Sequence, residues 1–115
     1  MTFLARDAMD ACAAFPAVEL SYPFGEETPV FKVVGKVFAI LSAEEGPGSI
    51  TLKADPEDAR ALVSEFPEVT PGYHMNKKHW ISVALPSGAA PLRELIRDSY
   101  DLVVAGLPRD RRPTA

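Results

Sequence analysis

Apolar residues recur along this chain with two different periods, and the change of period separates helices from strands. Three segments have the three-to-four-residue spacing of amphipathic helices, namely 3–14, 56–66 and 90–105. We expect Thr2 to cap the first helix and Asp55 the second, since both side chains can accept hydrogen bonds from a first turn. Gly106 follows the third helix, where a left-handed glycine commonly ends a helix.

Between the helices the period shortens to two residues, and β-branched and aromatic residues become frequent. This pattern predicts strands at 30–34, 37–41 and 49–53, and a last hairpin that brackets 75–78 and ends in 80–85. The pair Gly35-Lys36 predicts a two-residue type II′ turn between the first two strands. Residues 18–22 have the composition of a further edge strand.

This order of elements predicts a two-layer α+β fold, α-β-β-β-α-β-β-α, with an antiparallel sheet and the helices packed on one face. The 115 residues suffice for one domain, which we place at 1–107. Residues 108–115 contain two prolines and three arginines, and we expect them to form a disordered tail.

Charge and cysteine content narrow the classes of function. The formal net charge is −4, which disfavours a uniformly basic surface for DNA but allows a local basic patch. Cys12 is the single cysteine, so no internal disulfide is possible. No apolar run approaches the ~18–20 residues of a membrane span, and charged residues interrupt any signal-peptide core. We therefore expect a cytoplasmic protein with no membrane attachment.

The densest group of candidate binding residues lies around the last hairpin, and its members are Tyr73, His74, Asn76, Lys77, Lys78, His79 and Trp80. The lysines there, with Lys36 in the first hairpin, would neutralise phosphates, while Asn76 would reach a base edge. Tyr73 or Trp80 would stack on an unpaired base. A simpler interpretation is a turn with solvated lysines and both rings in the core, and the usual exposure of lysine favours it.

Signals for an enzyme or a cofactor are weak in this sequence. His74 and His79 are the two histidines, and the loop between them supplies no carboxylate that would complete a metal site. Cys12 lies beside the apolar stripe of the first helix, where a small buried residue is its expected role. Nucleophile elbows and phosphate loops are absent. We predict a non-enzymatic protein with no metal and no cofactor.

Five blocks of sequence occur in a recognisable order, namely SYPFG (21–25), VVGKVFA (33–39), TLKADP (51–56), PGYHMNKKHW (71–80) and SYDLVVAGLP (99–108). They span nearly the whole chain, and together they resemble the MmcQ/YjbR-like family. The resemblance implies a secretion-chaperone-like α+β fold. It also implies DNA binding, through likeness to a double-wing transcription-factor domain, and it implies no catalytic residues.

Two partners therefore stay open. One is DNA, bound by the basic hairpin tips of an otherwise acidic domain. The other is a protein, bound by a chaperone-like module without nucleic acid. Four loop glutamates, Glu26, Glu27, Glu44 and Glu45, suit a basic protein partner better than they suit DNA.

Charge reversal at Lys77 and Lys78 tests the first alternative. The double variant Lys77→Glu/Lys78→Glu should bind labelled duplex and single-stranded DNA more weakly than the natural chain, because fewer counterions are released. With about four phosphate contacts, affinity should fall roughly a hundredfold between 50 and 200 mM salt. Anisotropy titrations measure both effects. Equal binding by the two proteins, or none by either at low salt, rejects the alternative.

Overall fold

The computed structural model describes residues 4–42, 48–72, 78–85 and 87–113. Within these ranges the chain forms three α-helices, six strands and one short 3-10 helix. In chain order they are α1 (Ala5–Ala13), β1 (Val18–Ser21), β2 (Val30–Val33), β3 (Lys36–Ser42), β4 (Ser49–Lys53), α2 (Pro56–Glu65), β5 (Val69–Pro71), β6 (Trp80–Ala84), α3 (Leu92–Ala105) and the 3-10 helix Arg109–Arg111.

All six strands belong to one sheet in the order β1-β2-β3-β4-β6-β5, and each neighbouring pair is antiparallel. The α+β class and the element order predicted from the sequence are confirmed. The edge strand expected at 18–22 is also present, as β1. None of the helices in the described ranges has the length and apolar character needed to cross a bilayer.

Burial separates the two faces of the sheet. Successive side chains of a strand point to opposite faces, and one face carries nearly completely buried residues, namely Phe31, Ala39, Leu41, Ile50, Leu52, Val69, Ile81 and Val83. These side chains form a single cluster with buried residues of α1, α2 and α3. All three helices therefore cover the same face, as predicted. We call the other side of the sheet the open face.

A β-bulge in β3 adds a side chain to the covered face. Phe31 pairs with Ala39, and the next residue, Lys32, pairs with Val37, so Phe38 has no counterpart on β2. Phe38 and Ala39 are both fully buried although they are consecutive. A regular strand would have sent one of the two to the open face.

One buried hydroxyl completes the hydrogen bonding of this irregular region. Ser99 of α3 donates to the carbonyl oxygen of Phe38 at 2.6 Å and accepts the backbone N–H of Lys53 at 2.8 Å. Its side chain is fully buried. The bulge and the end of β4 thus each gain a partner from the helix, which avoids the desolvation penalty of an unpaired backbone group.

Aromatic rings join α1 and α3 to the same point of the sheet. The ring of Phe15 stacks on Tyr100 at 4.6 Å, and Phe38 meets Tyr100 edge to face at 5.3 Å. The Tyr100 hydroxyl donates to the carbonyl oxygen of Pro16 at 2.6 Å. Offset and edge-to-face pairs add to the burial of their rings, so the bulged Phe38 lies at the junction of two helices and the sheet.

The first hairpin turns one residue earlier than predicted. Val34 and Gly35 both have positive φ, 48° and 77°, which defines a type I′ turn and not the type II′ turn expected at Gly35-Lys36. Positive φ is rare for a β-branched residue. The side chain of Val34 packs against the core cluster, and this contact helps to offset the strain.

The helix starts follow one prediction and contradict another. Asp55 caps α2 by accepting the N–H of Glu57 at 3.2 Å, as expected. Thr2 lies outside the described residues and is not the cap of α1, because the N-cap position is Leu4. There the carboxylate of Asp7 accepts the Leu4 N–H at 2.9 Å, so the cap comes from within the first turn.

The end of α3 also differs from the expectation. Gly106 caps this helix with a right-handed φ of −81°, so the predicted left-handed glycine is wrong. The segment expected as a tail, 108–115, begins with the 3-10 helix. The guanidinium of Arg112 donates to the carbonyl oxygens of Ala105 at 2.8 Å and Leu107 at 3.0 Å. Side-chain donors thus satisfy carbonyls that the helix leaves free.

Removal of the Ser99 hydroxyl should lower the free energy of unfolding by about 2–4 kcal/mol, since Ser99→Ala leaves two buried backbone groups without partners. Urea denaturation measures the change. The control is Ser82→Ala, which removes a hydroxyl bonded to Thr51 Oγ1 at 3.0 Å on the half-buried open face. It should lose at most about 1 kcal/mol. Equal losses in the two variants would contradict the role given to Ser99.

Candidate nucleic-acid interface

The turn between β2 and β3 and the ends of three later strands lie at one end of the sheet, which we call the tip end. The Val34-Gly35 turn joins β2 to β3 there, and β4 runs antiparallel to β3 and finishes there at Lys53. Trp80, the first residue of β6, pairs with Lys53. β5 ends at Pro71 beside Ile81, so β5 also finishes at this end. The chain order alone does not relate these strand ends to each other.

Four of the eight residues singled out from the sequence lie in the described part of the chain. Lys36, Lys78 and His79 are exposed, and Trp80 is half-buried. All four are at the tip end. The other four lie outside the described residues, and they are Tyr73, His74, Asn76 and Lys77.

The sheet sends these residues to different sides. Lys36 pairs with the buried Val33 and so emerges on the helix side. Lys78 also lies on the helix side, next to Ile81 and α2. Trp80 instead alternates with the buried Ile81 and faces the open side. The two lysines therefore share the tip end and the helix side, whereas Trp80 faces the opposite side of the sheet.

Two further lysines, which the sequence analysis does not single out, lie on the open face itself. Lys53 alternates with the buried Leu52, and Lys32 alternates with the buried Phe31. Lys32 pairs with Val37 across β2 and β3, and Lys53 pairs with Trp80 across β4 and β6; both pairs lie at the tip end, beyond the β3–β4 partners Ala39 and Leu52. We call these four residues the tip row. Strand spacing puts the backbones of the two lysines roughly 10 Å apart.

A close backbone contact holds Trp80 at its place in the tip row. The N–H of Gly72 donates to the Trp80 carbonyl oxygen at 2.9 Å. A Cβ atom at position 72 would come within 2.8 Å of the Trp80 Cβ atom, so only glycine allows this approach. The backbone that carries the indole is therefore fixed on both sides, by Gly72 and by the pairing with Lys53.

Beyond the tip row the open face is lined by hydroxyl groups. These belong to consecutive partners across the sheet, namely Ser42, Ser49, Thr51, Thr70 and Ser82. Thr51 Oγ1 and Ser82 Oγ are hydrogen-bonded at 3.0 Å. Hydroxyls both donate and accept, so this part of the face can bond to polar ligands without selecting a charge.

Charge is divided between the two layers of the molecule. The three helices contain eight acidic and four basic residues. The six strands contain three lysines and one glutamate, Glu19, which pairs with Lys32 at the β1 edge. The negative net charge of the chain thus resides mainly in the helical layer, and it does not describe the open face.

The crowding of carboxylates in the helical layer is visible at Asp98 of α3. Partial burial raises the pKa of its carboxyl, and the neighbouring charges of Asp101, Asp58 and Glu94 raise it further. Helices α2 and α3 therefore present an acidic surface that repels polyanions. A polyanionic partner would therefore approach from the sheet side.

Within the described residues, neither a reactive thiol nor a cluster of potential metal ligands is found. Cys12 is fully buried, as expected for a small core residue, and burial raises the pKa of its thiol to about 12. A thiol of that pKa is almost entirely protonated at neutral pH and is a poor nucleophile. Within the described ranges no three potential ligands from histidine, cysteine, aspartate and glutamate come together. His74 lies outside them, so the absence of a histidine metal site stays a prediction.

Sequence reasoning missed an exposed apolar segment. Leu20 of β1 is 44% exposed, and Tyr22 and Phe24 beyond it are 45% and 69% exposed. Large apolar side chains grouped at an edge strand often mark contact surfaces. The segment SYPFG is a recognisable block of the sequence, but the order of its apolar and polar residues does not show that the rings of Tyr22 and Phe24 face water.

Comparison with known proteins gives the family. The YjbR family model matches residues 13–102. The uncharacterized protein YbdF of Escherichia coli O157:H7 is 49% identical over 96 residues, which cover 82% of this chain and 79% of that protein. The uncharacterized protein YjbR of Escherichia coli K12 is 31% identical over 109 residues, 92% of each chain.

Solved structures agree with this assignment. The crystal structure of Deinococcus radiodurans protein DR2400, with a DUF419 domain, superposes with a TM-score of 0.84 at 36% identity, over 96% of this chain and 86% of that one. A Pseudomonas syringae protein superposes with a TM-score of 0.70 at 32% identity, over 85% and 97% of the two chains. The chain belongs to the YjbR family.

Proposed function

We propose that this chain is a non-enzymatic nucleic-acid-binding domain that takes a single-stranded segment across the tip row of its open face. The observation that carries the proposal is the pairing of Lys53 with Trp80 on the face that no described helix covers. A cation beside an aromatic ring provides both interactions on which single-stranded nucleic acids depend, phosphate neutralisation and base stacking.

The division of charge supports an anionic partner on this side. In the described part of the chain, Lys32 and Lys53 form no salt bridge with any carboxylate, although Glu19 pairs with Lys32 in the sheet. Their spacing of roughly 10 Å would let a flexible strand place phosphates beside both. The acidic helices keep the partner on the sheet side, so a net charge of −4 is compatible with binding.

The shape of the surface favours a single strand over a duplex. The tip row has residues on four strands of a sheet, and among the described residues no helix or ribbon projects from it to enter a major groove. An unpaired strand can instead lie on the sheet and stack a base on Trp80. The tip-end lysines Lys36 and Lys78, on the helix side, would contact phosphates that run past the edge of the face.

A second candidate is the protein-interaction module, and the exposed apolar segment Leu20, Tyr22 and Phe24 favours it. These side chains lie at and beyond the free edge of β1, away from the tip row. A partner bound there would resist nuclease and would be released by Phe24→Ser. A partner that nuclease removes would instead point to the nucleic-acid proposal.

Two pairs of variants test the proposal through single-stranded DNA binding. Lys32→Gln/Lys53→Gln should weaken binding and reduce the slope of log K against log salt by about 1.4, because each phosphate contact on a single strand contributes about 0.7. The control Arg6→Gln/Arg97→Gln makes the same change in net charge on exposed positions of the helices. It should leave the slope unchanged.

Trp80→Leu should lower affinity about tenfold by removing the stacking surface, while Trp80→Phe should stay near the natural chain because it keeps a ring. Anisotropy titrations over a range of salt concentrations measure both pairs. The proposal fails if the helix variants weaken binding as much as the sheet variants, or if the natural chain binds no single strand at low salt.

A further inference from the structure

A cleft of about 570 Å³ lies on the helix side of the sheet, between α2 and the strands β5 and β6. Its walls include Ala59 and Val63 of α2, and Pro71 and Ile81 of the two strands. Cavities of this size hold small organic ligands in other proteins. The cleft opens on the side opposite the tip row, so it is separate from the surface proposed for nucleic acid.

Incomplete packing of α2 creates this space. The sequence pattern predicts four residues of this helix region in the core, but in the structure only Ala59 is fully buried, and Leu62, Val63 and Phe66 are partly buried. Packed interiors leave few voids larger than a water molecule. An apolar cleft beside a half-buried helix is therefore a surface that a ligand can cover with a gain from the hydrophobic effect.

One cationic side chain supplies the charge of the lining. Arg60 lies one turn after Pro56 on the cleft side of α2. It makes no salt bridge within the described residues. Lys78 lines the strand side, but it already interacts with another group of the chain. The cleft combines an apolar floor with the positive charge of Arg60.

We infer that the cleft binds a small amphipathic anion, with an apolar ring system or a medium-length acyl chain as its body and one acidic group. The body would cover Ala59, Val63 and Ile81, and the acidic group would pair with Arg60. Guanidinium groups recognise carboxylates and related anions through charge-assisted hydrogen bonds. The inference does not depend on nucleic-acid binding, because it uses neither Lys32, Lys53 nor Trp80.

The fluorescent dye ANS, an aromatic sulfonate, is a suitable first probe for the full chain. It should bind saturably at one site, and decanoate should displace it. Phenylnaphthylamine, a closely related ring system without the sulfonate, should bind at least about fivefold more weakly, because it cannot form the ion pair. Decanol should displace ANS less well than decanoate for the same reason.

Substitutions at the cleft test where the ligand binds, and they separate the contribution of the Arg60 charge from that of the apolar space. Arg60→Gln should weaken ANS binding about fivefold and leave phenylnaphthylamine unchanged. The control Arg6→Gln, an exposed arginine of α1, should change neither. Ser64→Trp should abolish saturable binding by filling the cleft from an exposed helical position, and Ala61→Trp, exposed on α2 but outside the lining, should retain it.

Three results would overturn the inference. They are no saturable ANS binding by the natural chain, equal affinity for the charged and neutral probes, and full binding by Ser64→Trp. If Ser64→Trp fails to fold by circular dichroism, amide shifts of the natural chain on adding decanoate decide instead. Shifts at Arg60, Val63 and Ile81 support the cleft, and their absence at saturating decanoate rejects it.

Discussion

Two hydrogen bonds of the Ser99 hydroxyl attach helix α3 to strands β3 and β4. The hydroxyl occupies the place where the bulge in β3 interrupts the ladder, and it serves Phe38 and Lys53 at once. The bond to Phe38 is buried and the bond from Lys53 is partly buried, so their loss would leave two backbone groups without partners at a cost in desolvation. With the ring contacts among Phe15, Phe38 and Tyr100, they join α1 and α3 to one face of the sheet.

The function proposed here depends on that arrangement. Because the helices share one face, their acidic residues lie on one side of the molecule. The opposite side of the sheet carries Lys32 and Lys53 without acidic helices beside them. Net charge alone would have argued against an anionic partner, yet charge that is divided between layers allows one. The cleft under α2 belongs to the helix side, and Arg60 in its lining is a local exception within that acidic layer.

The sequence could predict features that depend on local spacing. The start of α2 at Asp55-Pro56 follows from capping chemistry, and the edge strand β1 follows from composition. Features that depend on strand register could not be predicted from the sequence. Regular alternation in β3 would put Lys36 on the open face with Phe38, whereas the bulge sends both to the helix side and turns Val37 outward. No local signal distinguishes these arrangements.

The tip row shows the same limit. Lys53 and Trp80 are far apart in the chain, and only the pairing of β4 with β6 makes them neighbours. Val34 at positive φ contradicts the usual turn preferences, so the type I′ turn could not be expected from its residues. Of the aromatic and basic residues that cluster around 73–80 in the sequence, Lys78, His79 and Trp80 are described, and they lie at the tip end.

Amide chemical shifts of the isotope-labelled chain, titrated with a short single-stranded oligonucleotide at low salt, test the central claim most directly. The account predicts that the largest changes fall on the open face at Lys32, Lys53, Trp80 and Ser82, with little change along α1 and α3. Changes concentrated on the helices, or none at all at saturating oligonucleotide, would contradict it.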